Sequence, residues 1–461
     1  MDSDNRPFVV LVYQVFSEVW GRNIQMKLYS HQEESLKQTE GLNRVAYYHD
    51  MGLGKTFTGA EKMFRLGARV NLLICQKSKI ADWIDHFAMN YAMNHCWMVY
   101  DLTKSKELDW YLSAVSDDLD NPFVGIINYE LAWRRKDLLK LHDFTLMLDE
   151  SSLIQNKTAK QTKFILKLQP ANVILLSGTP TSGKYENLWT QIHLLGWEIS
   201  EKLYQRQYVN WKTLRVPGGQ YVKVVDKDNP YKNVERLKGK MREHGAVFLK
   251  TEECFDLPEQ NFIEMSISKP KYYDKFMKDS IVTVDGVEMV GDTSLTKRLY
   301  ARELCGIYSE AKLEAFRDLV QSTNERIIVF YNFTAELERL VESVLPLDRP
   351  YDIINGNLKT LTAYENYSDA ITFVQYQAGA MGLNLQKANK IIYYSLPERS
   401  ELFEQSKKRI HRIGQDRPCF YYLMICTNTV EESIYEALKQ RKDFTDELFR
   451  ECDKNGTGKT V

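Results

Sequence analysis

Neither sign of charge predominates in this chain. Its 61 lysines and arginines face 62 aspartates and glutamates, leaving a formal charge of −1 over 461 residues. A long-range positive field is therefore absent, and any grip on nucleic acid must come from local cationic stripes. Long apolar runs are missing too. The stretch Phe8 to Phe16 is too short to span a bilayer and is soon followed by Glu18. The opening Met1-Asp2-Ser3-Asp4 is acidic where a secretory leader would be basic. The cysteines (Cys75, Cys96, Cys254, Cys305, Cys419, Cys426 and Cys452) form no CxxC pair and no zinc-like spacing with histidine. They read as small buried hydrophobes in a reducing compartment. These absences predict a soluble cytoplasmic protein with no membrane partner.

No repeat, low-complexity tract or Pro/Gly/Ser linker divides the chain, so its organisation has to be read from apolar periodicity. With 44% hydrophobic residues the chain can bury two or three cores. Short apolar runs at Arg44–Tyr48, Asn71–Cys75, Phe123–Asn128, Thr145–Asp149 and Asn172–Ser177 alternate with amphipathic segments such as Phe57–Leu66 and Ile80–Tyr91. The alternation returns at Arg326–Tyr331, Tyr351–Ile354, Ile371–Gln375, Lys390–Ser395 and Phe420–Ile425. Continuous apolar strands separated by helices predict parallel sheets covered on both faces, hence two α/β lobes. Residues 201–300 read differently, with hairpins predicted at Trp211–Val225, around Pro217-Gly218-Gly219, and at Ile281–Val290, around Asp285-Gly286.

Met51-Gly52-Leu53-Gly54-Lys55-Thr56 follows a strand and precedes a helix, which aims backbone N–H groups and a positive helix end at a phosphate chain. In that setting Lys55 contacts the β- and γ-phosphates and Thr56 offers its hydroxyl to magnesium. Gly456-Thr457-Gly458-Lys459-Thr460 imitates the letters, but only Val461 follows, so it reads as a flexible tail. The strand Leu146-Met147-Leu148 ends on Asp149-Glu150. There Asp149 is expected to hold magnesium, and Glu150 to orient and deprotonate the attacking water.

With these sites placed, the chain from about Leu28 to Ile434 resembles the Swi/Snf-type family of superfamily 2 helicase-like ATPases. Asp149-Glu150-Ser151-Ser152, continuing Leu153-Ile154-Gln155-Asn156, resembles that family's DEGH…KN segment, with Ser151 and Ser152 where Gly and His are usual. Leu28-Tyr29-Ser30-His31-Gln32 resembles its Q motif, which implies that Gln32 reads the adenine edge. Leu73-Ile74-Cys75-Gln76-Lys77-Ser78, with Trp83 and Phe87 as core aromatics, resembles motif Ia. Ile127-Asn128-Tyr129-Glu130 resembles the next backbone-contacting loop, and Leu176-Ser177-Gly178-Thr179-Pro180 resembles motif III. Phe330-Tyr331-Asn332-Phe333-Thr334 and Ile354-Asn355-Gly356-Asn357 resemble the motif IV pair, and Gly379-Ala380-Met381-Gly382-Leu383-Asn384-Leu385 resembles motif V. Gln405-Ser406-Lys407-Lys408-Arg409-Ile410-His411-Arg412-Ile413-Gly414-Gln415 closely follows motif VI.

The resemblance implies two RecA-like lobes, each a mostly parallel sheet flanked by helices. The expected boundaries are an extension at 1–23, an ATP-binding lobe at 24–200, an insertion and connection at 201–300, a second lobe at 301–450 and a tail at 451–461. It implies ATP and Mg²⁺ as cofactors, with Gln32, Met51, Gly52, Leu53, Gly54, Lys55, Thr56, Gly382 and Gln405 around the nucleotide. Arg409 and Arg412, three apart on one helical face, are expected to act as catalytic arginine fingers from the inter-lobe cleft. Gln76, Lys77, Ser78, Asn128, Asn332, Thr334 and Lys359 are the implied nucleic-acid contacts. The implied activity is ATP-driven translocation on double-stranded DNA, independent of sequence, and whether a protein partner supplies targeting stays open. A strand-separating helicase on DNA or RNA and a scaffold with a decayed ATPase stand as alternatives.

Overall fold

The computed structural model describes residues 27–92, 95–117, 120–215, 219–379 and 383–449. The N-terminal extension, the tail, Pro217-Gly218 and Ala380 to Gly382 lie outside the described residues. The chain gathers into two compact units. One ends at Cys254 and takes in the chain again from Phe444, and the other is Phe255–Asp443.

The first unit is built on a seven-stranded sheet. Its strands are β1 (Arg44–His49), β2 (Val70–Cys75), β3 (Met98–Asp101), β4 (Phe123–Asn128), β5 (Thr145–Asp149) and β6 (Asn172–Leu176), with β9 (Ala246–Leu249) at one edge. Their order is β3-β4-β2-β5-β6-β1-β9, and every pairing is parallel. Alternate residues feed opposite cores. Ala46 and Tyr48 enter one buried cluster, while Val45 and Tyr47 enter another. A strand buried on both faces cannot alternate apolar with polar, which is why these runs were continuous in the sequence. Because the strands are parallel, the segments leaving β1, β5 and β6 all emerge at one edge of the sheet. The order places β6 between the other two.

The first unit also holds a hairpin, β7 (Trp211–Arg215) with β8 (Tyr221–Val225). The second unit holds β10 (Gln260–Ile267), the hairpin β11 (Ile281–Val284) with β12 (Val287–Val290), and β13 (Ile327–Tyr331), β14 (Tyr351–Ile354), β15 (Ile371–Gln375), β16 (Lys390–Tyr393) and β17 (Cys419–Cys426). Its six-stranded sheet runs β10-β17-β16-β13-β15-β14, again wholly parallel. The β11–β12 turn has Asp285 and Gly286 both at positive φ, 50° and 79°, as a tight right-twisting hairpin demands.

Three strands escaped the sequence reading. β3 and β9 are four-residue strands at the two edges of the first sheet. β10 is longer, but only one of its eight residues is buried, as an edge strand allows, so it shows no continuous apolar run. No helix among the described residues is long and apolar enough to cross a membrane.

Candidate nucleotide site

Beyond β1 the chain turns through Gly52 at φ 89° and Gly54 at φ 71°, and Gly54 caps the helix Lys55–Leu66. A Cβ on Gly54 would stand 2.3 Å from the Gln32 side-chain nitrogen, so both the left-handed backbone and the space require glycine. The Gly54 carbonyl accepts from the Phe57 N–H at 2.9 Å and the Thr58 N–H at 3.3 Å, which closes the first turn of that helix. The Lys55 ammonium folds back onto the strand end, donating to the His49 carbonyl at 2.9 Å and the Asp50 carbonyl at 3.2 Å. Asp50 is itself held, accepting from the Thr251 hydroxyl at 2.9 Å.

Gln32 is buried against this loop. Its amide donates to the carbonyls of Leu53 at 3.1 Å and Gly54 at 3.2 Å, while its carbonyl accepts from the Tyr29 N–H at 2.9 Å. The structure thus places Gln32 as a brace on the loop backbone. Met51 on the loop and Thr56 in the first turn of the helix are half-buried, and Leu53 is buried.

The acid pair sits at the end of β5. Asp149 accepts from the Trp83 indole N–H at 2.8 Å, and its main-chain carbonyl accepts from the Tyr129 hydroxyl at 2.8 Å. Burial raises the Asp149 carboxyl, opposed by that indole bond and by the charges of Lys55 and Lys79. Glu150 follows at φ 53°, a left-handed conformation that costs a non-glycine residue about 1 kcal/mol and clusters at functional sites.

The segment after β6 meets both neighbours. A Cβ on Gly178 would come within 3.3 Å of the Met51 side chain and 3.4 Å of the Lys55 ammonium, so this position is kept bare beside the cation. Pro180 is tied to the acid-pair side. Its carbonyl accepts from the Gln191 amide at 2.7 Å and from Gln155 at 3.0 Å. The Gln191 carbonyl in turn accepts from the Ser151 hydroxyl at 2.8 Å and the Tyr48 hydroxyl at 3.0 Å. Gln191 is fully buried, so each of these bonds is made where water cannot replace it.

Trp83 and Gln191 are the residues that sequence reasoning passed over. Trp83 was read as core, correctly for its ring, but a buried indole N–H needs an acceptor. Gln191 stands alone as an amide in the apolar run Leu188–Leu195, and a buried amide there has to be bonded. Ser151, noted as a departure from the family pattern, is the residue that bonds it.

Of the other residues singled out, Gln76 is half-buried and Lys77 and Ser78 are exposed just past β2. Asn128 is buried and donates to Glu130 at 2.7 Å. In the second unit Thr334 and Lys359 are exposed. Asn332 is turned inward, donating to the Ser395 hydroxyl at 2.8 Å and the Leu396 carbonyl at 3.1 Å. Gln405 is buried on the helix Ser400–Lys407. That helix ends before Arg409 and Arg412, which do not share a helical face as expected and lie instead on the turn that follows. The cause is local: the Arg409 carbonyl accepts from the Leu385 N–H at 3.1 Å, a bond to a neighbouring loop in place of a helical one. Both side chains reach that same loop, Arg409 to the Leu383 carbonyl at 3.4 Å and Arg412 to the Asn384 side chain. Gly382 lies outside the described residues.

Comparison with known families matches the SNF2-related domain over residues 36–305 and the helicase conserved C-terminal domain over residues 311–414. YwqA of Bacillus subtilis (strain 168), provisionally named an ATP-dependent helicase/translocase, is 24% identical over 445 residues, covering 87% of this chain and 46% of its own length. The SWI/SNF-related matrix-associated actin-dependent regulator of chromatin subfamily A member 1 of Mus musculus is 23% identical, covering 84% of this chain and 40% of its own length. The chain thus spans less than half the length of these two relatives. Among solved structures, a Sulfolobus solfataricus SWI2/SNF2 ATPase core in complex with dsDNA aligns over 93% of this chain and 94% of its own, at 18% identity and a TM-score of 0.42.

Proposed function

The chain belongs to the SNF2-related family of helicase-like ATPases, and we propose that it is a DNA-stimulated ATP hydrolase that translocates on double-stranded DNA. One observation carries this reading: the phosphate-type loop, the acid pair and the Ser177–Pro180 segment emerge side by side from β1, β5 and β6. Between them they bring a lysine, two carboxylates and a helix N-terminus to one sheet edge.

The residues fit ATP and Mg²⁺. Gly54 has no room for a side chain beside Gln32, and Gly178 leaves the Lys55 ammonium uncrowded. Thr56 and Asp149 would hold magnesium, a hard cation suited to oxygen ligands. When bound, the metal neutralises charge on the β- and γ-phosphate oxygens. The chain's own residues do the rest. Lys55 exchanges two neutral carbonyl partners for anionic phosphate oxygens, so that its charge meets an opposite charge in place of a dipole. Glu150 orients the attacking water and takes its proton at the carboxylate. Arg409 and Arg412 are assigned to the charge that grows on the γ-phosphate.

Movement of the Ser177–Pro180 segment is transmitted through Gln191 to Ser151 beside the acid pair, which supplies a route from nucleotide state to the rest of the lobe. Gln76, Lys77, Ser78, Thr334 and Lys359 are assigned to the DNA backbone. Asn128 and Asn332 would join them only by exchanging their present partners. Contacts of this kind carry little base information, so binding is expected to be sequence-independent and strongly salt-dependent.

The test is steady-state ATPase with duplex DNA, single-stranded DNA, RNA or no nucleic acid, with Lys55→Ala as control, followed by displacement of a third strand from a triplex. Duplex stimulation and triplex displacement, both lost in the variant, are expected. Stimulation by single strands or RNA alone would transfer the assignment to a strand-separating helicase, and inactivity with every polymer would overturn it.

A further inference from the structure

The β7–β8 hairpin has almost no protein against it. Four of the five residues of β7 and three of the five of β8 are exposed, on both faces of the ribbon. Leu214, Tyr221 and Val222 are 51%, 72% and 42% exposed. An isolated two-stranded ribbon is marginal in water, and these exposed apolar side chains add a cost. Its root is nevertheless fixed. The Asn210 N–H donates to the Pro230 carbonyl at 2.9 Å, the Asp226 N–H donates to the Asn210 carbonyl at 2.9 Å, and Val209 bridges to Tyr231. Tyr231 stacks on the buried Tyr185 at 4.4 Å. The ribbon is thus rigidly rooted and otherwise unsupported.

Its charge is one-sided. From Trp211 to Val225 there are three cations, Lys212, Arg215 and Lys223, and no carboxylate, in a chain whose total is −1. The first acids, Asp226 and Asp228, sit at the root and are bound by Lys212 at 2.7 and 2.8 Å. That leaves the outer ribbon positive. The register pairs Arg215 with Tyr221, Thr213 with Lys223 and Trp211 with Val225, so Trp211, Arg215, Tyr221 and Lys223 share one face. Lys223 lies over the Trp211 ring at 5.5 Å. At the root Trp211 also walls an open cavity of about 670 Å³ lined by Asn156, Thr158 and Trp189, which follow the acid pair and the Ser177–Pro180 segment in sequence.

We propose that this ribbon is a second DNA grip of the first lobe, laying its Trp211–Arg215–Tyr221–Lys223 face along a duplex so that Arg215 and Lys223 meet backbone phosphates. The inference rests on the duplex-DNA reading above. The dimensions suit it: five residues per strand give a ribbon about 17 Å long, and a two-stranded ribbon is a shape the major groove admits. Alternating aromatic and cationic side chains pack on sugars while pairing with phosphates, and neither contact reads sequence. The apolar face, Leu214 and Val222, then turns away from the backbone.

The experiment is fluorescence anisotropy of a labelled blunt duplex and of one of its single strands, titrated with the full chain across a range of salt. The chains compared are wild type, R215E/K223E, and K167E/K202E as the same charge change at exposed positions elsewhere in the lobe. Arg215 and Lys223 are exposed, so thermal unfolding verifies that the variant folds. The expected result is duplex affinity weakened about tenfold or more in R215E/K223E, with the log–log salt slope shallower by about 1.8, and a much smaller change in K167E/K202E. Equal losses in the two double variants, an unchanged affinity and slope, or a loss confined to the single strand would each overturn the proposal. If wild type binds no duplex, the failure belongs to the duplex-DNA reading itself. Duplex binding retained in R215E/K223E is a failure of the ribbon alone.

Discussion

The indole N–H of Trp83 donates to the Asp149 carboxylate across 2.8 Å, so a core aromatic on the helix Ile80–Phe87 fixes the direction of the acid assigned to magnesium. A hydrogen bond to a charged group is worth about 1.5–3 kcal/mol. Trp83→Phe keeps an aromatic ring in the core and removes the donor. We expect kcat to fall roughly tenfold and the Mg²⁺ concentration for half-maximal activity to rise. Magnesium titrations of ATPase rate check this. A variant that loses thermal stability but keeps wild-type rate and magnesium dependence would reduce Trp83 to packing.

What could be read in advance followed burial. Strands such as β2 and β4, buried at every residue, announced themselves as apolar runs, whereas β10, with one buried residue in eight at a sheet edge, did not. The strand-end placement of Lys55, Asp149 and Glu150 was legible because the apolar runs before them mark β1 and β5. The partners of those residues were not. Trp83 is 66 positions from Asp149, and Gln191 is 40 from Ser151, so only the order of the parallel sheet brings them together. The helical placement of Arg409 and Arg412 failed for a related reason. Spacing by three is helical only while the backbone bonds locally, and the bond from Leu385 to the Arg409 carbonyl ends that.

Gln191 provides the second test. Its carbonyl serves Ser151 and Tyr48, and its amide serves Pro180, all within a water-free core. Gln191→Leu preserves bulk but leaves two hydroxyls without their acceptor, which costs about 1–3 kcal/mol for each buried group left unsatisfied. Because the bond network joins the acid-pair segment to the Ser177–Pro180 segment, we expect DNA stimulation of ATPase to drop more than the DNA-free rate does. Measuring both rates in wild type and variant decides it. Equal proportional loss would show that Gln191 supports the fold without coupling the segments.

The second unit holds a buried ion pair, Lys312 with both carboxylate oxygens of Glu431 at 2.6 and 2.8 Å, and Glu431 also accepts from the Cys426 N–H at 2.8 Å. Burial alone would lower the Lys312 ammonium, but Glu431 acting together with Cys426, Tyr394 and Cys305 outweighs it and the lysine is raised. Lys312→Met strands a buried carboxylate and is expected to destabilise this unit by about 3–5 kcal/mol, whereas K312M/E431L recovers much of that loss. Hydrogen exchange of β13 and β17 amides under native conditions reads the unit separately from the other one. Equal protection in Lys312→Met and wild type would contradict the assignment.

The last test concerns pH and the strand that carries the phosphate-type loop. His49 ends β1 fully buried, bonded to the Ser35 hydroxyl at 3.2 Å. Burial first, then the nearby charges of Lys55 and His31, holds its imidazole down to about 3. His86, packed edge-on against Trp83 and Phe57, is pushed down to about 4 by burial. In the unfolded chain both titrate near 6.5. Between those values the unfolded state binds protons that the folded state refuses, so stability is complete above about pH 6.5 and is lost as pH falls. Each histidine contributes a slope of up to about 1.4 kcal/mol per pH unit, His86 to about pH 4 and His49 to about pH 3. His49→Gln retains a side-chain amide for Ser35 and removes the titration. Urea unfolding of the first unit, followed from pH 7.5 to 4.5, should give a curve that is flatter than wild type by about one histidine's slope below pH 6.5. Parallel curves would mean that His49 takes up its proton within the folded lobe. The loop that it anchors would then have to admit a charge beside Lys55.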